Sequence, residues 1–211
     1  MGTKERRERE REEVRTRILD AARMLFVEQG YEAVTMRKIA AAIEYSPTAI
    51  YLHFKDKESI VRELCDTDFA HLASRFRKIG KTADPIERLR AAGRAYADFG
   101  AKHPNHYRLM FMTPHPPHHP ENSRIEVGNP EQDAYAFLKW TVGEAIAQGR
   151  LRAGLDDVEL VSQIVWAGIH GIVSLRLSKH NEPWVAWRGE KKTVELMLDT
   201  LIRGIAREPG A

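Results

Sequence analysis

The sequence predicts an all-α protein of about nine helices, and three observations carry that reading. Apolar residues recur at three- and four-residue spacing through almost the whole chain. No run of β-branched residues alternates with polar ones, the pattern a half-buried strand needs. Cap residues (Thr35, Ser46, Asp56, Asp84) stand at the head of periodic stretches, two of them followed directly by Pro.

The first helix is expected from the charged run Lys4–Glu13 to Gln29, with Val14, Ile18, Ala21, Ala22, Leu25 and Phe26 on its apolar face and Gly30 ending it. That run holds five charges of each sign. It reads as a solvated face supported by pairs such as Glu5–Arg9 and Glu13–Arg17, or as an arm touching phosphates through Lys4, Arg6 or Arg7. Thr35 then caps a short helix over 36–43, and Ser46 caps another over 47–53, with Pro47 where its missing N–H costs nothing. Asp56 opens a helix toward Lys81, and Asp84-Pro85 opens one that closes at His103-Pro104. A short segment over 104–112 precedes a loop, 113–130, with five prolines. Helices over 133–148, 156–179 and 190–207 finish the chain.

Length and composition narrow the function classes. A chain of 211 residues with 43% apolar and 30% charged residues can build a sizeable core. Its 33 basic against 30 acidic residues are too balanced to announce nucleic acid, so such a reading must rest on local placement. Cys65 is the single cysteine, so no intrachain disulfide forms, and its i±4 neighbours Val61 and Phe69 make it a core residue. With no apolar leader and a longest uncharged run of 160–175, the expectation is a cytoplasmic protein without a membrane span. No nucleophile–base pair, phosphate loop or metal spacing suggests an enzyme or a cofactor. His115, His118 and His119 cluster in the proline-rich loop without helical spacing or a Cys or Asp partner, and read as solvated.

Two turns of helix are too short to be stable alone, and Thr48, Ala49, Tyr51 and His53 build little core. A short helix, a turn and a second short helix have the spacing of a helix-turn-helix, whose second helix enters the DNA major groove. Thr48 and Ala49 are small enough for close approach to base edges. Tyr51 and His53 can donate to phosphate, Lys55 and Lys57 add charge, and Arg37 can reach a guanine or a phosphate. Lys38 and Ser46 complete the candidate set. The alternative is a helical protein-interaction module without DNA binding.

The stretch VTMRKIAAAIEYSPTAIYLHFKDKESIV resembles the DNA-binding signature of TetR-family transcriptional regulators, and FVEQGYEAVT before it fits as well. The likeness covers roughly residues 14–64, with Gly30, Thr35, Ile39-Ala40, Ser46, Tyr51, Phe54 and Lys57 in register. It implies an all-α homodimer with a DNA-reading domain (1–60), a connecting helix (56–81) and a domain for effector binding and dimerisation (82–211). It implies further that Thr35, Tyr51, His53 and Lys57 hold phosphates while Arg37, Pro47, Thr48 and Ala49 face bases. One position departs from the pattern. Where the family commonly has Ala-Gly-Val-Ser, this chain has Ile43-Glu44-Tyr45-Ser46, so Glu44 sits where Gly would relieve a positive φ.

WAGIHG, residues 166–171, resembles the Trp-His-Gly signature of one class of C-terminal domain in this family. Gly168, Gly171 and Ser174 make a small-residue groove that admits another helix, while His170 reads as a core histidine, a ligand contact or, last, a metal ligand. Candidate effector-lining residues are Phe99, Tyr107, Met110, Phe111, Trp140, Trp166 and His170, suiting a hydrophobic or aromatic small molecule. The expected function is a repressor released by such a ligand from a palindromic double-stranded operator. The last two helices are expected to form the homodimer, and the 56–81 helix to act as the lever.

Overall fold

The computed structural model describes residues 3–116, 121 and 123–207. Within them the chain forms nine α-helices: α1 Thr3–Gln29, α2 Met36–Ala42, α3 Pro47–Tyr51, α4 Lys57–Ile79, α5 Pro85–Lys102, α6 Pro104–Phe111, α7 Ala134–Ala147, α8 Val158–Lys179 and α9 Glu190–Ile205. The all-helical expectation holds. His118 and His119 lie outside the described residues.

Helix ends follow the capping chemistry. Thr35 accepts from Lys38 N–H, Ser46 from Ala49 N–H, Asp84 from Ile86 and Glu87 N–H, and Asp133 from Tyr135 and Ala136 N–H. Asp56 and Ser59 cap reciprocally: Ser59 N–H donates to Asp56 Oδ1 at 2.7 Å and Asp56 N–H to Ser59 Oγ at 3.3 Å. Gly30 has φ +80 and sends its N–H to Phe26 O at 3.0 Å, closing α1 as expected. Most boundaries fall within one or two residues of the sequence reading, and two of the differences have a visible cause. α3 stops at Tyr51 rather than residue 53, because His53 and Phe54 N–H both turn back to Ile50 O. α8 starts after Asp157, whose carboxylate accepts from Leu160 N–H, and not at Asp156.

The chain divides into two compact units, residues 1–68 with 105–124, and residues 69–104 with 125–211. Helix α4 contributes residues 57–68 to the first and 69–79 to the second. The first unit closes over Ile18, Ala22, Phe26, Val34, Ile39, Ile50, Phe54, Ile60 and Leu64, all buried. Segment 105–124, which the sequence alone groups with the C-terminal half, clusters here because acidic residues of α4 hold it. Ser123 Oγ donates to Asp66 at 2.7 Å, Arg124 Nη2 to Glu63 at 2.9 Å, and His106 Nδ1 lies 2.8 Å from Asp68.

In the second unit α5, α7, α8 and α9 pack around Ile86, Leu89, Val142, Val161, Val165, Ile202 and Ile205. Close approach is arranged by glycine. A Cβ on Gly93 would stand 2.3 Å from Leu198 Cδ2, and one on Gly168 would stand 2.8 Å from both Leu201 methyls. The small-residue groove expected on α8 therefore receives α9 of the same chain at Gly168, while a Cβ on Gly171 would meet nothing within 4 Å. Leu160, Ile164 and Leu175 of α8 and Leu196 of α9 remain exposed.

Candidate DNA-reading surface and effector region

Helices α2 and α3 stand in the helix-turn-helix arrangement, and burial separates their two faces. Ile39, Ala40 and Ile50 point into the first unit, while Arg37, Lys38, Ser46, Pro47, Thr48 and Tyr51 are exposed and Ala49 is half-buried. Tyr51 is 56% exposed and Leu52 72% exposed, so α3 presents an open surface instead of building core. That is what a reading helix requires: its inward residues anchor it and its first turn stays free for base edges.

The basic candidates are not equivalent. Lys55 and Arg37 are exposed. Lys38 Nζ instead donates to Gln29 Oε1 and Ala33 O, each at 2.8 Å. Lys57 Nζ donates to Tyr31 O at 2.7 Å and sits 4.0 Å from the Tyr31 ring centroid. These two ammonium groups brace the α1–α2 connection. His53 is half-buried, and its Nδ1 is buried with no hydrogen-bond partner. Burial first, then the charges of Arg11 and Arg15, hold its pKa below the ordinary histidine value. A neutral imidazole is a weaker phosphate holder than the sequence suggests.

Sequence reasoning missed the residues that hold the motif in place. Arg15 makes a bidentate pair with Glu63, donates to His53 O at 3.0 Å and lies 4.2 Å over the Phe54 ring. It ties α1, the end of α3 and α4 together. Arg23 pairs with Asp68 in the interior, and Asp68 also meets His106. Pairing distances of 48 and 45 residues leave no local pattern to read. Cys65 is buried beside this network, its thiol pushed up to about 12 by burial and then by the charge of Asp68. It stays a protonated core residue. His115 Nε2 lies 3.7 Å from its sulfur.

Glu44 has φ +60, the left-handed conformation its position in the turn suggests, at a cost of order 1 kcal/mol for a residue with a Cβ.

The seven effector candidates fall in both units. Tyr107, Met110 and Phe111 belong to the first; Phe99, Trp140, Trp166 and His170 belong to the second. Within the second unit they do not form one group. Phe99 is fully buried against His71 and His103, and Trp140 lies under Arg88 and beside Phe137. Trp166 and His170 do come together, through a residue absent from the candidate set. Tyr96 Oη accepts from Trp166 Nε1 at 3.0 Å and lies 3.1 Å from His170 Nδ1. Tyr96 is buried, and burial holds the His170 pKa below its ordinary value, favouring the neutral ring that can accept the tyrosine proton. The signal for Tyr96 was its helical spacing with Ile86, Leu89, Ala92 and Phe99, which are buried with it on α5.

This architecture, a helix-turn-helix with an exposed, capped reading helix and a second helical unit with polar groups in its interior, defines a DNA-binding regulator class. Residues 18–64 match the family described as bacterial regulatory proteins of the tetR family, and residues 89–201 match the Tetracyclin repressor-like C-terminal domain. The chain belongs to the TetR family. It is 31% identical over 157 residues to the HTH-type transcriptional repressor KstR2 of Mycobacterium tuberculosis, covering 72% of this chain and 75% of that one. It is 35% identical over 102 residues to the HTH-type transcriptional activator FasR of Mycolicibacterium smegmatis, covering 48% of this chain and 47% of that one. Against FasR, and against the Escherichia coli regulator UidR with 37% coverage, the alignment spans less than half the relative's length. The crystal structure of FadR from Bacillus subtilis in complex with stearoyl-CoA shares the fold, with a TM-score of 0.71 at 22% identity over 90% of this chain and 98% of that one.

Proposed function

We propose that the protein is a sequence-specific, ligand-responsive transcriptional regulator and not an enzyme: a repressor that binds an operator as a homodimer and leaves it when a small molecule binds. The observation that carries the reading is the exposed first turn of α3, with Ser46 capping it and Ile50 anchoring it. Residues 1–60 supply the DNA-reading part. Ser46, Pro47, Thr48, Ala49 and Arg37 face bases, while Thr35, Tyr51 and Lys55 hold phosphates. Lys38 and Lys57 act indirectly, by bracing the frame.

The effector belongs to the C-terminal part, where the Tyr96–Trp166–His170 cluster offers a polar anchor, with Tyr96 buried and Trp166 partly exposed. A molecule with a long apolar body and a polar end fits such a site. The stearoyl-CoA bound by FadR, and the ketosteroid in the description of KstR2, are both of that kind. Release of 100-fold requires the effector to favour the DNA-incompetent state by about 2.7 kcal/mol. Helix α4, which belongs to both units, is the lever through which that preference reaches α3. The exposed apolar stripe on α8 and α9 forms the dimer seam, consistent with a cytoplasmic protein that uses no membrane.

A gel shift on the DNA upstream of the chain's own coding sequence, with and without stearoyl-CoA, tests the reading. A shifted band reversed by the acyl-CoA supports it; no shift at low salt overturns it. The relation to FasR favours a second reading, activation, which a promoter–reporter assay separates by the sign of the response.

A further inference from the structure

The turn between α2 and α3 contains a local contradiction. Each helix end around it obeys capping chemistry, yet its central residue is a non-glycine at φ +60. Glu44 is exposed, so burial of its own side chain does not hold it there. The main chain holds it from the inside: Ile43 and Tyr45 N–H reach Ala40 O at 3.2 and 2.9 Å, and Glu44 N–H reaches Ala41 O at 3.2 Å.

From the other side the turn is held by α1. Arg17 Nη2 donates to Ile43 O at 3.3 Å, and the Arg17 guanidinium carbon lies 5.3 Å from the Tyr45 ring centroid. The residues before and after Glu44 are thus both in the grip of one side chain, across 26 residues of sequence. Tyr45 directly precedes Ser46, whose hydroxyl caps α3. A turn that relaxes toward negative φ at Glu44 would swing Tyr45, move the cap and turn the exposed residues Pro47 and Thr48 away from their present aim.

We propose that Arg17 is a positioning residue for DNA reading: it clamps the strained 43–45 turn from α1, and so fixes the direction of the first turn of α3. Arg17 works with Tyr45, and together they take over what a glycine at position 44 would do by itself. The inference rests on the DNA-reading assignment for its effect on affinity, but not for its effect on the turn.

Two measurements keep those apart. The first uses the full chain without DNA: amide hydrogen exchange at Tyr45 and Ala49. Arg17→Ala is expected to speed exchange at both by about 5- to 10-fold, with amides of α5 unchanged as the folding control. Glu44→Gly and Glu44→Asn, which suit φ +60, should abolish that acceleration in the double variants; Glu44→Gln, which removes the charge but keeps the strain, should not. The second uses a duplex enriched by the wild-type chain from a random pool. Arg17→Ala should weaken binding by about 10-fold in the wild-type background and by less than about 2-fold beside Glu44→Gly, with the salt slope unchanged. Arg17→Lys keeps the charge without the stacking plane and should lose nearly as much as alanine. If no duplex is enriched, DNA reading fails while the exchange data still judge the clamp. Unchanged exchange at Tyr45 in Arg17→Ala, or equal rescue by Glu44→Gln, overturns the positioning role. A binding loss with a slope lower by about one and no rescue by Glu44→Gly would make Arg17 a phosphate contact instead.

Discussion

Lys55 and Lys57 lie two residues apart and carry the same charge, yet their surroundings give them opposite expected roles. Replacing each by Met keeps the apolar stem and removes only the ammonium. At Lys57 that deletes a 2.7 Å charged hydrogen bond to Tyr31 O and a contact 4.0 Å above the Tyr31 ring. A hydrogen bond from a charged donor contributes about 1.5–3 kcal/mol and a cation–π contact about 0.5–1 kcal/mol, and partial exposure reduces both. A loss of about 1–2 kcal/mol follows, lowering Tm by about 2–8 °C for a chain of this size. Lys55 is exposed, so its loss should leave Tm within about 1 °C. On DNA the order reverses. Lys55→Met should lower the log–log salt slope by about 0.9, the release of one phosphate counterion. Lys57→Met should leave the slope unchanged. Thermal melts and fluorescence anisotropy at four salt concentrations measure both quantities. A slope drop at Lys57→Met as large as that at Lys55→Met, with Tm unmoved, would refute the division of labour drawn from the geometry.

Gly93→Ala places a methyl 2.3 Å from Leu198 Cδ2, and overpacking of about 1–3 kcal/mol should outweigh a helix-propensity gain of up to about 1 kcal/mol; a melt should show net loss, partly restored by Leu198→Val. Gly171→Ala meets nothing within 4 Å and should raise stability by up to about 1 kcal/mol unless a partner subunit packs there, which a concentration series of melts reveals. The folded-state pKa of His53 lies below its ordinary 6.5, so the unfolded chain takes up that proton first; stability should be full above about pH 6.5 and fall as the pH drops below it, and His53→Gln should flatten the fall. Leu196→Glu, at a position 65% exposed in one subunit, should turn a dimer into a monomer by light scattering without lowering helicity by circular dichroism.

What was legible in the sequence was local. Thr35, Ser46, Asp56 and Asp84 cap where their spacing said they would, because a cap needs only a side-chain oxygen two or three residues before an N–H. The strain at Glu44 was legible only through the resemblance, which puts a glycine at that place in the turn; the chain keeps the left-handed φ there with a glutamate. The arginines of α1 were not. Arg15, Arg17 and Arg23 share one helix and one residue type, yet Arg15 and Arg23 pair with Glu63 and Asp68 of α4 while Arg17 holds the 43–45 turn. Those choices depend on which element passes each face, and periodicity carries no such information. The frame contacts of Lys38 and Lys57 were hidden for a related reason. A lysine stem is long enough to bring its charge back onto the frame, so exposure in the sequence pattern does not place the ammonium. Among the effector candidates, size and apolarity marked residues one by one but could not group them; the Trp166–Tyr96–His170 cluster needs α5 and α8 side by side.

Helix α8 shows how an apolar sequence acquires two meanings. By length and composition it could cross a membrane, yet only 28% of its most apolar window is buried within the subunit. The helix carries two stripes. Val161, Val165, Ile169 and Val173, four residues apart, are buried in the second unit, and Leu160, Ile164 and Leu175 are exposed. On its inner side α8 receives Leu201 of the same chain in the notch at Gly168 and buries Ser162, while Gln163 stands exposed beside Ile164 on the outer side, where a lipid-facing helix would keep apolar residues. Its tail is fixed by polar bonds of the kind water allows, with Arg176 donating to Arg188 O at 2.7 Å and lying over the Trp187 ring. An apolar stripe beside such features calls for a protein partner of matching shape, and a second copy of α8 and α9 presents one by symmetry. In the dimer proposed above, the hydropathy that resembles a span arises because one helix serves the core of its own subunit on one side and the proposed seam on the other.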